Sequence, residues 1–568
     1  MSSLNIQPKY EEETINNIIN KYLPSRISTY ESCKNVGIAL KTIGMDFEVF
    51  DKWSKQGNNY NYYENKEQWD RFDLKSFGFK SLLNWLEEDN PTEYKIFCEK
   101  REITDLNYSK ICRTVFKFKG NEFLYKKNGN NLQFYALSPN GYWASGDYAE
   151  SIFNEYISTI VYKYYKNLAI KYLDDPKILV ATQRFIKKLT EIHGKKEILN
   201  LYQGIGIKNI DFDLNWWLFP FENCVFDLKE KKFRNYKPED YVSLTCGYIW
   251  REPTKQEIDE LTMIIYQIQH KEIERNYMLD LFSKALEGKL FENFVIFTGN
   301  GGNGKSVIDE IAIKAFGQFG YKAPITILIK NKTSDPEKAS LDKKRLVVFS
   351  EPNKEIKLQN NVIRELTNNT IMARDGNTEK HNHGTYIFEC NKEPFLADDI
   401  EIEDVRRIKK LFFASRFTND VKPDPENHIY PQNPKYKEQY WLSEIKFAFM
   451  KLLLDRYNGD MVLKASDDMI TCTKVFMTKN DEKYNFFMDH YTITDNPKDT
   501  IKVVDIWKKY IEDPCYTNLS AKDKKMDNIK TFVKFIEDHP YLEKYYSINS
   551  SNIAIIKNCV VKISVDDK

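Results

Sequence analysis

Gly299-Asn300-Gly301-Gly302-Asn303-Gly304-Lys305-Ser306 fits G-x-x-x-x-G-K-[ST] at every fixed position, a spacing whose chemistry is phosphate binding. The glycines let successive backbone N–H groups turn inward around phosphate oxygens, and a helix beginning near Lys305 adds its positive N-terminal end. Lys305 would reach the β- and γ-phosphates of ATP, and the Ser306 hydroxyl would ligate Mg²⁺. The run Phe294 to Thr298 reads as a short buried strand, and helix-like sequence resumes after Ser306. A glycine-rich turn with a chance lysine is the plain alternative, and the strand before and helix after weigh against it.

Three further elements could complete such a site. Leu346 to Phe349 reads as an apolar strand with Glu351 just beyond it, placed to polarise an attacking water and to support the metal shell. Tyr386 to Phe388 reads as another core strand, and Asn391 stands at its C-terminal mouth, where an amide could contact the γ-phosphate or orient the water. Arg406-Arg407 follows, and a guanidinium entering a neighbour's site would neutralise charge developing in phosphoryl transfer. Taken singly, Glu351 is an ordinary strand-end glutamate and either arginine an ordinary surface ion-pair partner.

Between Glu351 and Asn391, "MARDGNTEKHNHGTYIF" carries turn signals at Asp375-Gly376 and Asn377 with Arg374, Lys380 and His381 around them. Such residues can follow a phosphate backbone without reading bases, and a solvated basic turn is the alternative. His381 and His383 could pair on a metal, but no Cys or further His lies nearby in sequence.

The elements that must position these residues belong to a long chain. At 568 residues it should divide into roughly three or four domains. Hydrophobic residues make up 42% and charged residues 29%, as in globular proteins, and 84 basic against 83 acidic side chains leave any basic surface local. Nine cysteines are scattered with no CxxC pair, which argues against a zinc or disulfide framework and for a reducing compartment. The start "MSSLNIQPKYEEET" lacks an apolar signal core, and no stretch approaches 18 consecutive apolar residues. The expectation is a soluble intracellular protein without membrane contact, in host cytoplasm or nucleus if viral.

The ordered set GNGGNGKS, "RLVVFSE", "IRELTNNTIMARDGNTEKHNHG", Asn391 and the paired arginines resembles superfamily 3 helicases of the poxvirus and satellite-phage primase-helicase type. The likeness runs through residues 255–420 and extends upstream. Residues 215–250 resemble the segment that precedes the ATPase in that family, with Cys224 where a glycine is usual after Asn223. "YESCKNVGIALKTIG" and the following stretch resemble the small helical region behind viral primase domains, with Trp53 and Trp69 as core anchors.

The resemblance implies an AAA+-like P-loop ATPase core in a multidomain α/β chain, with mainly helical N-terminal regions. It implies a homo-oligomeric ring, usually a hexamer, that hydrolyses ATP with Mg²⁺ and moves on single-stranded or forked DNA during replication. Lys305 and Ser306 would bind nucleotide and metal, Glu351 would activate water and assist the metal, and Asn391 would be the sensor. Arg406 or Arg407 would act in trans, and the Arg374–His383 hairpin would grip DNA. Two positions depart from the pattern: Val405 replaces a tryptophan before the arginine pair, and Asn368-Asn369-Thr370 replaces a Gly-Gly-Asp type turn.

The expected domains are an N-terminal arm (1–25), a helical primase C-terminal-like region (26–110), a pre-ATPase domain (111–254), the ATPase (255–420) and a helical C-terminal region (421–568). In the last, 440–457 reads as an amphipathic packing helix, and from about 500 two helices and a hairpin follow in the order of a winged helix, with Lys508, Lys509, Lys524 and Lys525 as phosphate-contact candidates. "ADDIEIEDV" reads as an exposed loop whose Asp404 could orient Arg406. Asp211 and Asp213 resemble a metal-binding pair of polymerase-type primases but read better as structural, and no primase domain is visible. Two other functions fit the same residues: a replication-associated ATPase that remodels or loads without unwinding, and a bifunctional primase-helicase. A separate primase or polymerase is the expected partner.

Overall fold

Five strands, each four to six residues long, form one parallel sheet. They are β1 (Phe294–Thr298), β2 (Gly320–Ala323), β3 (Leu346–Ser350), β6 (Thr385–Cys390) and β7 (Ile408–Phe412). Between β3 and β6 lie β4 (Ile371–Asp375) and β5 (Thr378–His381). The computed structural model describes residues 12–562 apart from 75–76, 130, 331–334, 351–355, 369–370, 376–377, 398–399 and 480. Glu351 therefore lies outside the described residues, as do the side chains of Arg374, Lys380 and His381.

The sheet order is β7-β1-β6-β3-β2, and every neighbouring pair is parallel. A parallel sheet is stable when both faces are covered, which is why its central strands are almost continuously apolar. Phe294, Val295, Ile296 and Phe297 of β1 are all fully buried, as are Leu346, Val347, Val348 and Phe349 of β3. Each such side chain contributes about 1.5–3 kcal/mol relative to exposure.

One face is covered by helix α1 (Lys305–Phe316), which leaves the end of β1 through the glycine-rich loop. Helix α3 (Gln439–Arg456) packs against α1 and against the helices Lys255–Ile268 and Glu272–Lys284. The sequence reading made α3 a one-sided amphipathic helix. With neighbours on several sides it buries Trp441, Leu442, Ile445, Phe447, Phe449, Met450, Leu453 and Leu454 instead. The other face of the sheet carries a second core that includes Ile363, Leu366, Ile400, Phe476 and Met477.

By contact density the chain separates into Met1–Tyr125 with Glu150–Ile207, and Lys126–Ala149 with Lys208–Lys568; the sheet belongs to the second unit. The first unit is helical. Its helices Tyr30–Thr42 and Tyr62–Arg71 start at side-chain caps from Thr29 and Asn61. Trp53 and Trp69 are core residues as expected; Trp53 is fully buried and its indole N–H donates to the Ile19 carbonyl at 2.8 Å.

In the second unit, a three-stranded antiparallel meander spans Leu218–Pro220, Val225–Asp227 and Lys232–Arg234. Asn223 clamps the Trp250 backbone from both sides, donating to its carbonyl at 3.0 Å and accepting from its N–H at 2.8 Å. Cys224 has no positive φ, so this turn does without the glycine usual in the resembled segment.

From residue 500 the expected helices and hairpin are present as Val503–Tyr510, Ile529–Asp538 and the strands Tyr546–Ile548 and Ala554–Lys557. A strand not expected from sequence, Thr500–Lys502, pairs with Ala554–Lys557 and completes a three-stranded antiparallel sheet.

A candidate nucleotide site at the carboxyl end of the parallel sheet

The loop from Gly299 to Gly304 leaves β1 at the carboxyl end of the sheet, the edge where open parallel sheets bind ligands. Two glycines are required by shape as well as by chain direction. At Gly299 (φ 152°) an added Cβ would stand 2.4 Å from the Phe413 carbonyl oxygen, and at Gly304 (φ 87°) it would stand 2.6 Å from Ile268 Cγ1. The segment after β7 straps the loop down. Phe413 N–H donates to Thr298 O at 2.8 Å, Phe417 N–H donates to Gly302 O at 2.6 Å, and Asn303 Nδ2 reaches Phe413 O at 3.4 Å.

Lys305 is buried, and its ammonium group donates to Gly299 O (3.1 Å), Asn303 Oδ1 (3.0 Å) and Asn391 Oδ1 (3.1 Å). The lysine and asparagine expected to act together are therefore in contact, brought there by adjacent parallel strands β1 and β6. Ser306 is exposed at the first turn of α1.

Sequence reasoning missed two carboxyls beside it. Glu389 Oε1 accepts a hydrogen bond from Ser306 Oγ at 2.5 Å. Asp309, one turn beyond Lys305 on the inner face of α1, is fully buried, and neither of its oxygens has a hydrogen-bond partner among the described residues. Burial, and then the neighbouring Glu389 charge, push Asp309 well above the usual carboxylate range. The signal for Glu389 was a lone acid inside the apolar strand "TYIFEC".

Arg406 and Arg407 lie at the other end of the sheet. They end helix α2 (Ile402–Arg407), which runs straight into β7, and β7 is parallel to β1. Five residues at about 3.3 Å each put the pair on the order of 15 Å from the loop side. The two arginines also differ. Arg407 is only 3% exposed and paired with Glu403 at 2.8 Å, whereas Arg406 is 60% exposed with a long contact of 3.6 Å to Glu292.

The expected loop around "ADDIEIEDV" is in part this helix, begun by a reciprocal cap between Glu401 and Asp404. Asp404 does not orient Arg406: residues two apart on a helix do not face each other, and Asp404 is engaged by Arg364 and Asn360.

Strands β4 and β5 form the expected hairpin, separate from the main sheet, with Arg374 opposite Glu379, Ala373 opposite Lys380 and Ile371 opposite His381. His383 Nδ1 lies 3.0 Å from the Gly288 carbonyl, and no cluster of metal-ligating side chains occurs among the described residues.

Asp211 and Asp213 do not converge. Asp213 binds Ser243 through N and Oγ (both 2.6 Å) and Lys343 Nζ (2.8 Å), while exposed Asp211 meets Lys126 at 3.0 Å, as befits structural residues.

Beside the loop, His270 and His428 stack with ring centroids 3.3 Å apart, and burial followed by the charge of His428 lowers the pKa of His270. No described helix is long and apolar enough to cross a membrane.

Comparison with known proteins places two family matches on the chain, Primase C terminal 2 at residues 15–85 and D5 N terminal like at residues 121–264. "Putative helicase L207/L206" of Acanthamoeba polyphaga mimivirus is 25% identical over 88% of this chain and 57% of its own length. "Putative helicase 184R" of Invertebrate iridescent virus 6 is 25% identical over 59% of this chain and 38% of its own length. The chain thus spans little more than half of the first relative and less of the second. The solved "A form apo structure of NrS-1 C terminal region-CTR(305-718)" covers 79% of this chain and 98% of that one at 12% identity, with a TM-score of 0.36, too low to bear on the fold. A Primase C terminal 2 match and a D5 N terminal like match in succession, together with viral relatives 25% identical, make this chain similar to D5-type primase-helicases.

Proposed function

We propose that this chain is an ATP-dependent DNA helicase or translocase of superfamily 3, with an AAA+-like ATPase core, acting as a ring in viral or mobile-element DNA replication. The observation that carries the reading is the position of Lys305: buried under the glycine loop at the end of β1 and bonded to Asn391 at the end of β6. A lysine held there moves a short distance to meet β- and γ-phosphates, and Asn391 is then left facing the terminal phosphate.

In hydrolysis a water oxygen bonds to the γ-phosphorus, the bond from that phosphorus to the β–γ bridging oxygen breaks, and ADP and inorganic phosphate leave. Glu351 takes the water's proton, Asn391 orients the water, and the loop N–H groups with Lys305 hold the phosphates still. Ser306 and Glu351 would hold Mg²⁺, which would neutralise charge on the phosphate oxygens. The arginine that completes the site comes from the next subunit of a hexamer. The distance of Arg406 from its own loop and its exposure support this role for Arg406, with Arg407 as its internal brace.

The β4–β5 hairpin, with Arg374, Lys380 and His381, tracks one strand of single-stranded or forked DNA. The helices and three-stranded sheet after residue 500 act as a winged helix on nucleic acid. A separate primase or polymerase works beside the ring inside the infected cell. The helicase names of the two viral relatives support the same activity.

The test is fork unwinding with ATP by wild type, Lys305→Ala and Arg406→Ala, each variant also mixed with wild type. Strand separation by wild type, poisoned steeply by either variant, is expected. DNA-stimulated hydrolysis without strand separation would make the protein a remodeller or loader.

A further inference from the structure

We propose that Glu389, on β6, supplies the carboxylate that holds the divalent cation of the bound nucleotide beside Ser306. The proposal rests on the nucleotide reading of the loop and adds a residue to it.

Three observations carry it. The first is the contact itself. A carboxylate can only accept, so the Ser306 hydroxyl points its hydrogen at Glu389 Oε1, 2.5 Å away, and turns its lone pairs toward the exposed side of the loop. A loop serine with its hydroxyl hydrogen on a carboxylate and its oxygen open is the arrangement by which phosphate-loop enzymes hold Mg²⁺. Mg²⁺ prefers oxygen donors and takes one or two carboxylates together with water and phosphate oxygens.

The second is register. Glu389 pairs with Phe297 on β1 and with Ser350 on β3, so it stands on the strand next to the loop strand. At that level β3 offers only Ser350, an uncharged residue whose hydroxyl is buried without a partner among the described residues. Strands are about 4.8 Å apart, so a carboxylate on β6 is one strand closer to Ser306 than anything on β3.

The third is Asp309. Its carboxyl is fully buried one turn beyond Lys305, and neither oxygen has a hydrogen-bond partner among the described residues. An unpartnered buried carboxyl is costly, and few survive in a folded protein without a reason. A cation held at the neighbouring Glu389 and Ser306 supplies one.

The experiment titrates Mg²⁺ into full-length protein with a fluorescent N-methylanthraniloyl ATP and follows binding rather than turnover. Glu389→Gln keeps an acceptor for the Ser306 hydroxyl, so its melting temperature should stay at the wild-type value. Its half-saturating Mg²⁺ concentration should rise at least tenfold. Nucleotide binding in EDTA should equal or exceed wild type, because a negative charge near the phosphates has gone. An unchanged Mg²⁺ midpoint overturns the proposal, whether or not hydrolysis is lost.

A second measurement needs no variant. Fe²⁺ replacing Mg²⁺ with the nucleotide, followed by ascorbate and peroxide, should cut the wild-type backbone next to both Ser306 and Glu389. Cuts at Ser306 without cuts at Glu389 overturn the proposal. If wild type binds no nucleotide with or without Mg²⁺, the nucleotide reading itself falls and this one with it.

Discussion

Asp404 grips Arg364 with two hydrogen bonds of 2.7 Å, Nε to Oδ1 and Nη2 to Oδ2, from a position where the aspartate side chain is fully buried. Asn360 Nδ2 adds a third contact at 3.2 Å, and the N–H of Glu401 a fourth at 3.0 Å. The helix that ends in Arg406 and Arg407 is thereby fastened to the helix Asn360–Asn368, which leads into the hairpin.

Removing one partner of such a pair strands the other. Asp404→Ala should cost about 3 kcal/mol, the order found when buried pairs are broken from one side. Denaturant unfolding followed by the sheet signal measures it. A loss under about 0.5 kcal/mol, the size of an ordinary surface change, would mean the clamp contributes little.

The two arginines should separate cleanly. Arg406→Ala leaves a solvent-exposed position, so stability should hold while hydrolysis falls about a hundredfold or more, on the scale of losing one transition-state donor. Arg407→Ala empties a buried position and abandons Glu403, so it should lower the melting temperature first. Thermal scans beside ATPase rates decide, and the reverse pattern would move the finger to Arg407.

Lys305→Ala should abolish hydrolysis. It should also loosen the loop, because the ammonium group is a shared donor for Gly299, Asn303 and Asn391. Faster amide hydrogen exchange at residues 299–304 in the variant is the expected signature, and unchanged exchange would show the lysine is dispensable to the loop's fold.

Lys380→Ala should leave basal hydrolysis near wild type and uncouple it from DNA, since it lies on the separate β4–β5 ribbon. Normal unwinding by this variant removes the hairpin from the DNA path.

Acid should act near the strap. The pKa of His270 is lowered by burial and by His428, so the folded state favours the neutral ring. The unfolded chain binds its proton near pH ~6.5 and the folded one only at lower pH, so stability falls as pH drops through that value. His270→Phe should flatten this part of the stability profile between pH ~7 and ~5. An equal slope in both proteins would place the titrating group elsewhere.

What was legible in the sequence was local. The loop from Gly299 to Ser306 announces itself because each position has a separate stereochemical or chemical reason. The strands around it show as apolar runs because a sheet covered on both faces demands them. The Asp404–Arg364 clamp was not legible, since its members lie 40 residues apart and the aspartate could equally have served the nearer Arg406. Glu389 was overlooked although an acid in a core strand is a conspicuous exception; its meaning came only from the parallel register that sets it beside Ser306. Helix α3 was misjudged because spacing reveals one apolar face but not how many neighbours will close around the rest.

Strand β7 has a different business at each end. Arg406 stands just before it, and just after it Phe413 and Phe417 hold the backbone of the glycine loop. A β-strand hydrogen-bonded into a sheet does not stretch. In a ring where Arg406 enters the adjoining subunit's site, β7 is then a push-rod: a shift of the arginine when the neighbour's nucleotide is spent arrives at this subunit's own loop with little loss. Firing order around such a ring could be set by a rod five residues long.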